Sequence, residues 1–292
     1  MITRRYLKSG VVLLIMAEFC FAAATVFAKY VTNTSEIRAI EITFFRVALG
    51  TVVAAFYMWH TRTSFRPNNV KLVIARAVFS FSALVAFFYS VEHSSVTNGN
   101  MLNMTYPVFI FLLAPLFGLE KMKKISLLFL AMAMVGIYLV IFPDFSYINK
   151  GDLIGLVSGI LAAFAIISLS VAREFDSTVL IVFYLMAIGT VCNAIMMIPV
   201  FIMPSLNQLP ALLGSGAMGL LGQILLTMGY KNVTAKAGSM VSSSRIIFAA
   251  LMGFFVFSEP MLPRIVIGGL MIIFSIIGVS LLTRKVPAED EQ

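Results

Sequence analysis

The chain has 292 residues, of which 60% are hydrophobic and 12% charged, and its mean hydropathy is +0.99. Soluble domains carry about 25% charged residues; a chain this apolar has no surface to present to water, which excludes a soluble enzyme or binding module. The net charge of +8 does not indicate a nucleic-acid partner, because the basic residues cluster in short loops, as set out below.

Apolar runs of about 20 residues, each long enough to cross a bilayer, recur along the chain. Ten are predicted, at 9–31, 39–60, 70–91, 95–118, 124–143, 152–172, 178–203, 209–230, 234–257 and 262–283. The first follows a basic start, Arg4, Arg5 and Lys8. It is about twice as long as a signal-peptide core and is followed by nine more, so it reads as a transmembrane helix. It carries Glu18, the one acid near mid-depth. A carboxylate there has three readings: it carries a coupling proton, pairs with Arg245, or attracts a cationic amine.

The second run contains Arg46, expected to reach outward toward Glu41 and Glu36 as a helix anchor or a gate contact. The third ends at Tyr89, Glu92 and His93, which are either solvated loop residues or part of a gate. Their rough counterparts at the other face are Lys231, Asn232 and Lys236. The fourth presents Asn100, Asn103 and Tyr106, followed by Pro107, which removes a backbone donor and loosens the helix. The eighth contains Gln223, placed either across a helix contact or toward a cavity, and a small-residue row, Gly216, Gly219 and Gly222, that suits close helix packing. The ninth presents Ser239, Ser242 and Arg245. Cys20 and Cys192 both lie within apolar runs, which suits buried inert thiols and gives neither a disulfide framework nor a metal cluster. No catalytic constellation, nucleotide loop or cofactor motif occurs.

Two stretches align without gaps at an offset of 139: "FFYSVEHSSVTNGNMLNMTYPVFIFLLAPLFGLEKM" and "LTMGYKNVTAKAGSMVSSSRIIFAALMGFFVFSEPM". Gly99 meets Gly238, Tyr106 meets Arg245 and Glu120 meets Glu259. The same offset pairs Gly50 with Gly189, and "VGIYLV" pairs with "IGVSLL" at 142. A unit of five spans crosses an odd number of times, so its second copy enters from the opposite face. The predicted fold is an all-α membrane protein of ten transmembrane helices, built as two inverted five-helix repeats: a first repeat at 1–145, a second at 150–285 and a cytoplasmic tail at 286–292. Of the 21 basic residues, fifteen fall in segments on the N-terminal side of the membrane, four on the other, and Arg46 and Arg245 within spans. By the positive-inside rule both termini are cytoplasmic, in the cell's inner membrane.

The closing helices Gly99–Glu120 and Gly238–Glu259, with "ITFFRVALG" and "FCFAAATVFAKYV", resemble the EamA branch of the drug/metabolite transporter superfamily over about residues 10–284. "AKYV…IEITFFR" and the Phe87–Met122 stretch are most similar to the group holding S-adenosylmethionine transporters. The chain departs from the family where Leu119 and Ser258 replace a glycine before each closing Glu. The resemblance implies a secondary active transporter of a small polar metabolite, an amino acid or a derivative, working by alternating access with proton coupling or exchange. Uptake or exchange of S-adenosylmethionine is the alternative; a channel and an intramembrane enzyme are remote ones. No cofactor is expected, and the oligomeric state is not legible. The substrate-binding residues expected are Glu18, Tyr89, Asn100, Asn103, Tyr106, Gln223, Ser239, Ser242 and Arg245. The two polar rows, at i, i+3, i+6, each keep to one broad helix face and face each other across the centre.

Overall fold

The structure is a computed structural model and describes residues 2–94, 96–119, 124–143 and 148–282. Within these residues it is all helical: α1 (Ile2–Thr34), α2 (Ala39–His60), α3 (Val70–His93), α4 (Val96–Asn103), α5 (Tyr106–Leu113), α6 (Lys124–Ile141), α7 (Lys150–Phe175), α8 (Thr178–Met197), α9 (Leu209–Gly229), α10 (Ala235–Ser242), α11 (Ser244–Phe257) and α12 (Pro263–Leu282). Eight segments are long and apolar enough to cross a membrane, counting α4 with α5 and α10 with α11 as one crossing each. The shorter apolar helices Ile125–Ile141 and Pro263–Val279 complete the ten. Asn69, Asn149, Ser177 and Thr234 start α3, α7, α8 and α10 by accepting a backbone N–H from the first turn. Cys20 and Cys192 are free thiols.

The fourth and ninth crossings are broken, and at matching positions. The first break falls at Met104–Thr105, just before Pro107, as a missing donor at that point requires. The second falls at Ser243 with no proline present. The run Ser242-Ser243-Ser244 offers the backbone side-chain alternatives to the helical ladder. Ser258, where the family pattern favours glycine, takes the left-handed conformation at φ 56° and ends α11. In the first repeat Gly118 (φ 71°) takes that role.

Packing shows the inverted symmetry directly. α1 lies along α9, α3 along α7, α2 along α8 and α6 along α12. Gly222 faces Phe21 and Gly229 faces Leu14, so α1 and α9 run antiparallel. Phe79 stacks on Phe164 and Gly155 faces Ser90, giving α3 and α7 the same relation. The two pairs are images of each other under the repeat. α2 and α8 are each other's image. Gly50 meets Met186 while Gly189 meets Val47, so they too are antiparallel. The hydroxyls of Thr51 and Thr190, 139 positions apart, hydrogen-bond at 2.9 Å. A residue that bonds its own repeat image sits on the pseudo-twofold axis, and an antiparallel pair of images requires opposite insertion.

α6 and α12 touch through backbone. A Cβ at Gly268 would stand 2.5 Å from the Gly136 carbonyl oxygen, whereas one at Gly269 would meet nothing within 4 Å. Backbone cannot yield as a side chain can, so Gly268→Ala is expected to destabilise by about 1–3 kcal/mol. Gly269→Ala should be neutral or slightly stabilising, by up to about 1 kcal/mol. Thermal unfolding of the two variants in detergent checks the contrast; equal melting would show that the helices do not pack this closely.

Candidate functional site

α1 exposes one stripe, Val12, Met16, Phe19 and Tyr30, and buries the opposite one, Leu14, Glu18 and Phe21. The apolar stripe suits lipid and places Glu18, fully buried, on the inner face of the bundle. Arg245 stands in the first turn of α11, just after the break at Ser243, and its Nε donates to Glu18 Oε2 at 2.6 Å. Its guanidinium lies 4.6 Å over the Phe21 ring. The other Glu18 oxygen has no hydrogen-bond partner. Desolvating the two ions costs several kcal/mol each, and only close, well-aligned contact offsets that. Further along, Phe19 meets Phe248 edge-on at 5.5 Å, and Lys29 pairs with Glu259 beside Phe257. Partner numbers rise together, so α1 and α11 run parallel and are clasped at mid-depth and at their C-terminal ends.

Arg46 does not reach outward toward Glu41 and Glu36. Glu41 instead accepts backbone N–H groups from Arg38 and Ile202. Arg46 turns inward over Gly219, where a Cβ would stand 2.5 Å from its Cδ. Its guanidinium lies 5.7 Å from the Phe21 ring, so Phe21 carries two guanidiniums. The glycine row of α9 makes this room: Gly216 packs on Leu49 and Gly222 on Phe21.

The two polar rows meet in part. Tyr106 Oη donates to the Ser239 carbonyl at 3.4 Å. The Ser242 hydroxyl lies beside the phenols of Tyr106 and Tyr230 but meets neither with hydrogen-bond geometry. Ser239 Oγ donates to the carbonyl of Lys236. Asn103 turns to α7 and donates to Ser158 Oγ at 3.0 Å. Asn100 is half-buried, its carbonyl taking the N–H of Met104. Gln223 is buried, with its Nε2 unpartnered. Tyr89 stands apart, exposed at the end of α3 and stacked on His93. The Glu92 side chain lies outside the described residues. Glu18, Tyr106, Ser239, Ser242 and Arg245 are therefore gathered at one place, while Asn103 and Tyr89 point elsewhere.

Three buried residues were missed from the sequence. Arg76, counted there with the cytoplasmic loops, is 5% exposed, and its Nε has no hydrogen-bond partner. Tyr230 is 2% exposed, its ring seated over Gly238. Lys236, read from the sequence as a solvated loop residue or part of a gate, is buried near the Phe111 ring. The positive-inside rule counts residues near helix ends as loop residues, and this hid Arg76, which stands about two turns into α3.

Thr25 is exposed although it lies on the same face of α1 as Glu18 and Phe21, opposite the apolar stripe. About a third of the Arg245 side chain is also accessible. Toward the α1 N-terminus the same face is closed: Leu14 and all of Ala235–Ser244 are buried. Side chains near Glu18 are thus more accessible toward the end where α1 and α11 finish than toward the other.

A model of the EamA-like transporter family matches this chain twice, over residues 8–142 and 149–281. The pseudopaline exporter CntI of Pseudomonas aeruginosa is 29% identical over 94% of this chain and 96% of its own. An uncharacterized transporter of Helicobacter pylori is 25% identical over 86% of this chain and 88% of its own. Solute carrier family 35 member G1 of Mus musculus is 25% identical over 82% of this chain and 69% of its own. A crystal structure of another protein has the same fold, with a TM-score of 0.81 over 96% of this chain and 99% of that one at 12% identity. The repeated family match, the inverted bundles and the transporter relatives agree: this multi-pass membrane protein is a transporter, and the chain belongs to the EamA-like transporter family.

Proposed function

We propose that the protein is a secondary active transporter that moves a small polar metabolite bearing a carboxylate, an amino acid or a molecule derived from one, by alternating access across the cytoplasmic membrane. The observation that carries this reading is the Glu18–Arg245 pair, which stands at mid-depth on the inner face of α1. The planar fork of a guanidinium takes a carboxylate through two parallel hydrogen bonds. Glu18, with one oxygen unpartnered, receives the substrate amine or the coupling proton when Arg245 turns to the substrate. Tyr106, Ser239 and Ser242 supply polar contacts at the broken helices, the usual place for a midplane site in inverted-repeat carriers. Pseudopaline is exported by a relative, and this supports export as the direction. With both termini cytoplasmic, as the loop charges favour, the end at which Thr25 and Arg245 are accessible faces outside.

The test is transport by purified protein in liposomes. Radiolabelled amino acids, dicarboxylates, amines and S-adenosylmethionine are offered under an imposed pH gradient, and separately against trapped unlabelled substrate. Accumulation of a carboxylate-bearing solute, collapsed by an uncoupler or dependent on the trapped partner, is the expected result. Downhill flux indifferent to both treatments would mean a channel, and movement of amines alone would remove Arg245 from its role.

A further inference from the structure

Arg46 has an acid within reach along its own helix and turns away from it. Glu41 stands little more than one turn earlier on α2, yet its carboxylate accepts the backbone N–H groups of Arg38 and Ile202 instead. The arginine crosses to α9, where Gly219 makes its room; a Cβ there would stand 2.5 Å from Cδ and 2.6 Å from Nε. That Nε is buried without a hydrogen-bond partner. Two further buried acids are also held elsewhere. Asp152 accepts from Ser94, Asn98 and the Asn149 backbone, and Asp176 from the backbone N–H groups of Asn68 and Asn69. The ion pairs among the described residues are Glu18–Arg245 and Lys29–Glu259, so none of these carboxylates pairs with Arg46. A guanidinium keeps its proton under any accessible condition. Inside a bundle it therefore needs an anion or water around it.

What lies beside Arg46 is the ring of Phe21. The Arg46 guanidinium carbon is 5.7 Å from the centroid of that buried ring, and the Arg245 guanidinium carbon is 4.6 Å from the same point. The two carbons are thus no further apart than the sum of these distances, within the span of one small molecule. An aromatic face attracts a cation, but two cations about one ring repel each other. Holding both there is costly until an anion joins them. Other polar groups at this level are also incomplete. Glu18, one turn before Phe21 on the same face of α1, keeps one oxygen unpartnered. Gln223, one turn along α9 from Gly219, is buried with its Nε2 donor unpartnered.

We infer that Arg46 is a second carboxylate anchor, so that the transported molecule is a short dicarboxylate of roughly four or five carbons, its two acid groups each taken by one guanidinium fork. This rests on the carrier reading above and narrows its substrate class. One carboxylate takes Arg245 and the other Arg46, with the carbon chain against the Phe21 ring. An amine on that chain meets Glu18. The charges then cancel, two guanidiniums and an ammonium against Glu18 and two carboxylates.

Binding to the purified protein is measured by calorimetry with L-glutamate and glutarate against L-glutamine and valerate, and with 3-phosphonopropionate against succinate. A second charge-assisted contact is worth roughly ten- to a hundredfold in affinity, so each dicarboxylate should bind that much more tightly than its monocarboxylate analogue. Arg46→Gln is expected to erase this ratio, and Arg46→Lys to restore part of it. Gly219→Ala pushes the arginine aside without removing its charge and should also cut the ratio, so the measurement survives if Arg46→Gln fails to fold. An arginine that serves only packing would lower the melting temperature of these variants and leave the ratio where it was. Equal affinity for mono- and dicarboxylates in the unaltered protein, or a ratio that persists in the variants, overturns the second anchor while leaving Arg245 as a carboxylate site. Binding of 3-phosphonopropionate about tenfold tighter than succinate overturns the carboxylate class. Carboxylate binding that ignores Arg245→Ala sinks the carrier reading and this inference with it.

Discussion

Arg245→Ala is expected to abolish transport and destabilise the protein, and adding Glu18→Gln to it should recover stability without recovering transport. The single change leaves the fully buried Glu18 carboxylate without its 2.6 Å partner. Removing one member of a buried pair costs about 3–5 kcal/mol, whereas replacing both is often close to neutral. The loss should fall toward the low end, because about a third of the Arg245 side chain is accessible and water can reach the gap. The cycle of Glu18→Gln, Arg245→Ala and the double variant, followed by thermal unfolding in detergent and by uptake into liposomes, separates two roles that the geometry alone combines. A static clasp between α1 and α11 predicts that the double variant transports normally. A substrate anchor predicts that it folds well and moves nothing. Normal transport by the double variant would end the assignment of this pair to the site.

Accessibility gives the second large effect. With Cys20 and Cys192 replaced by serine, a cysteine at Thr25 should react readily with a membrane-impermeant thiol reagent added from one side. A cysteine at Ser239, fully buried on the closed side, should not. If the minor, oppositely open state is populated at about 0.1–10%, labelling at Ser239 runs about ten- to a thousandfold more slowly, and only with reagent from the other side. Transported substrate should protect Thr25→Cys and speed labelling of Ser239→Cys. Equal rates at both positions from the same side would mean a continuous pore. The side from which Thr25→Cys reacts also reports which face the open end meets.

Much of the fold is legible in the sequence because hydropathy and charge counting both act over long windows. The ten crossings, the duplication and the opposite insertion need no side-chain detail. The breaks were only half legible. Pro107 announces the first, but the second depends on three consecutive serines, which weaken a helix without forbidding it. The mid-depth pair was legible because Glu18 and Arg245 are each conspicuous in an apolar run. Arg46 was misdirected, since Glu41 one turn away looked like the nearer partner; the deciding feature is the empty space over Gly219 on another helix. Arg76 and Lys236 were hidden for a different reason. Each stands near a predicted helix end, where a basic residue normally orients the protein in the membrane, and only the packing of α3 and α10 reveals that they are enclosed.

The hydroxyl contact between Thr51 and Thr190 fixes where motion is least. When two copies related by a twofold axis exchange shapes, points on the axis stay still and displacement grows with distance from it. Under the alternating-access reading proposed above, the threonine pair is the fulcrum and is expected to stay bonded through a cycle, while the Lys29–Glu259 clasp, far from the axis, is expected to part and re-form. On that reading the centre sets the line about which the halves turn.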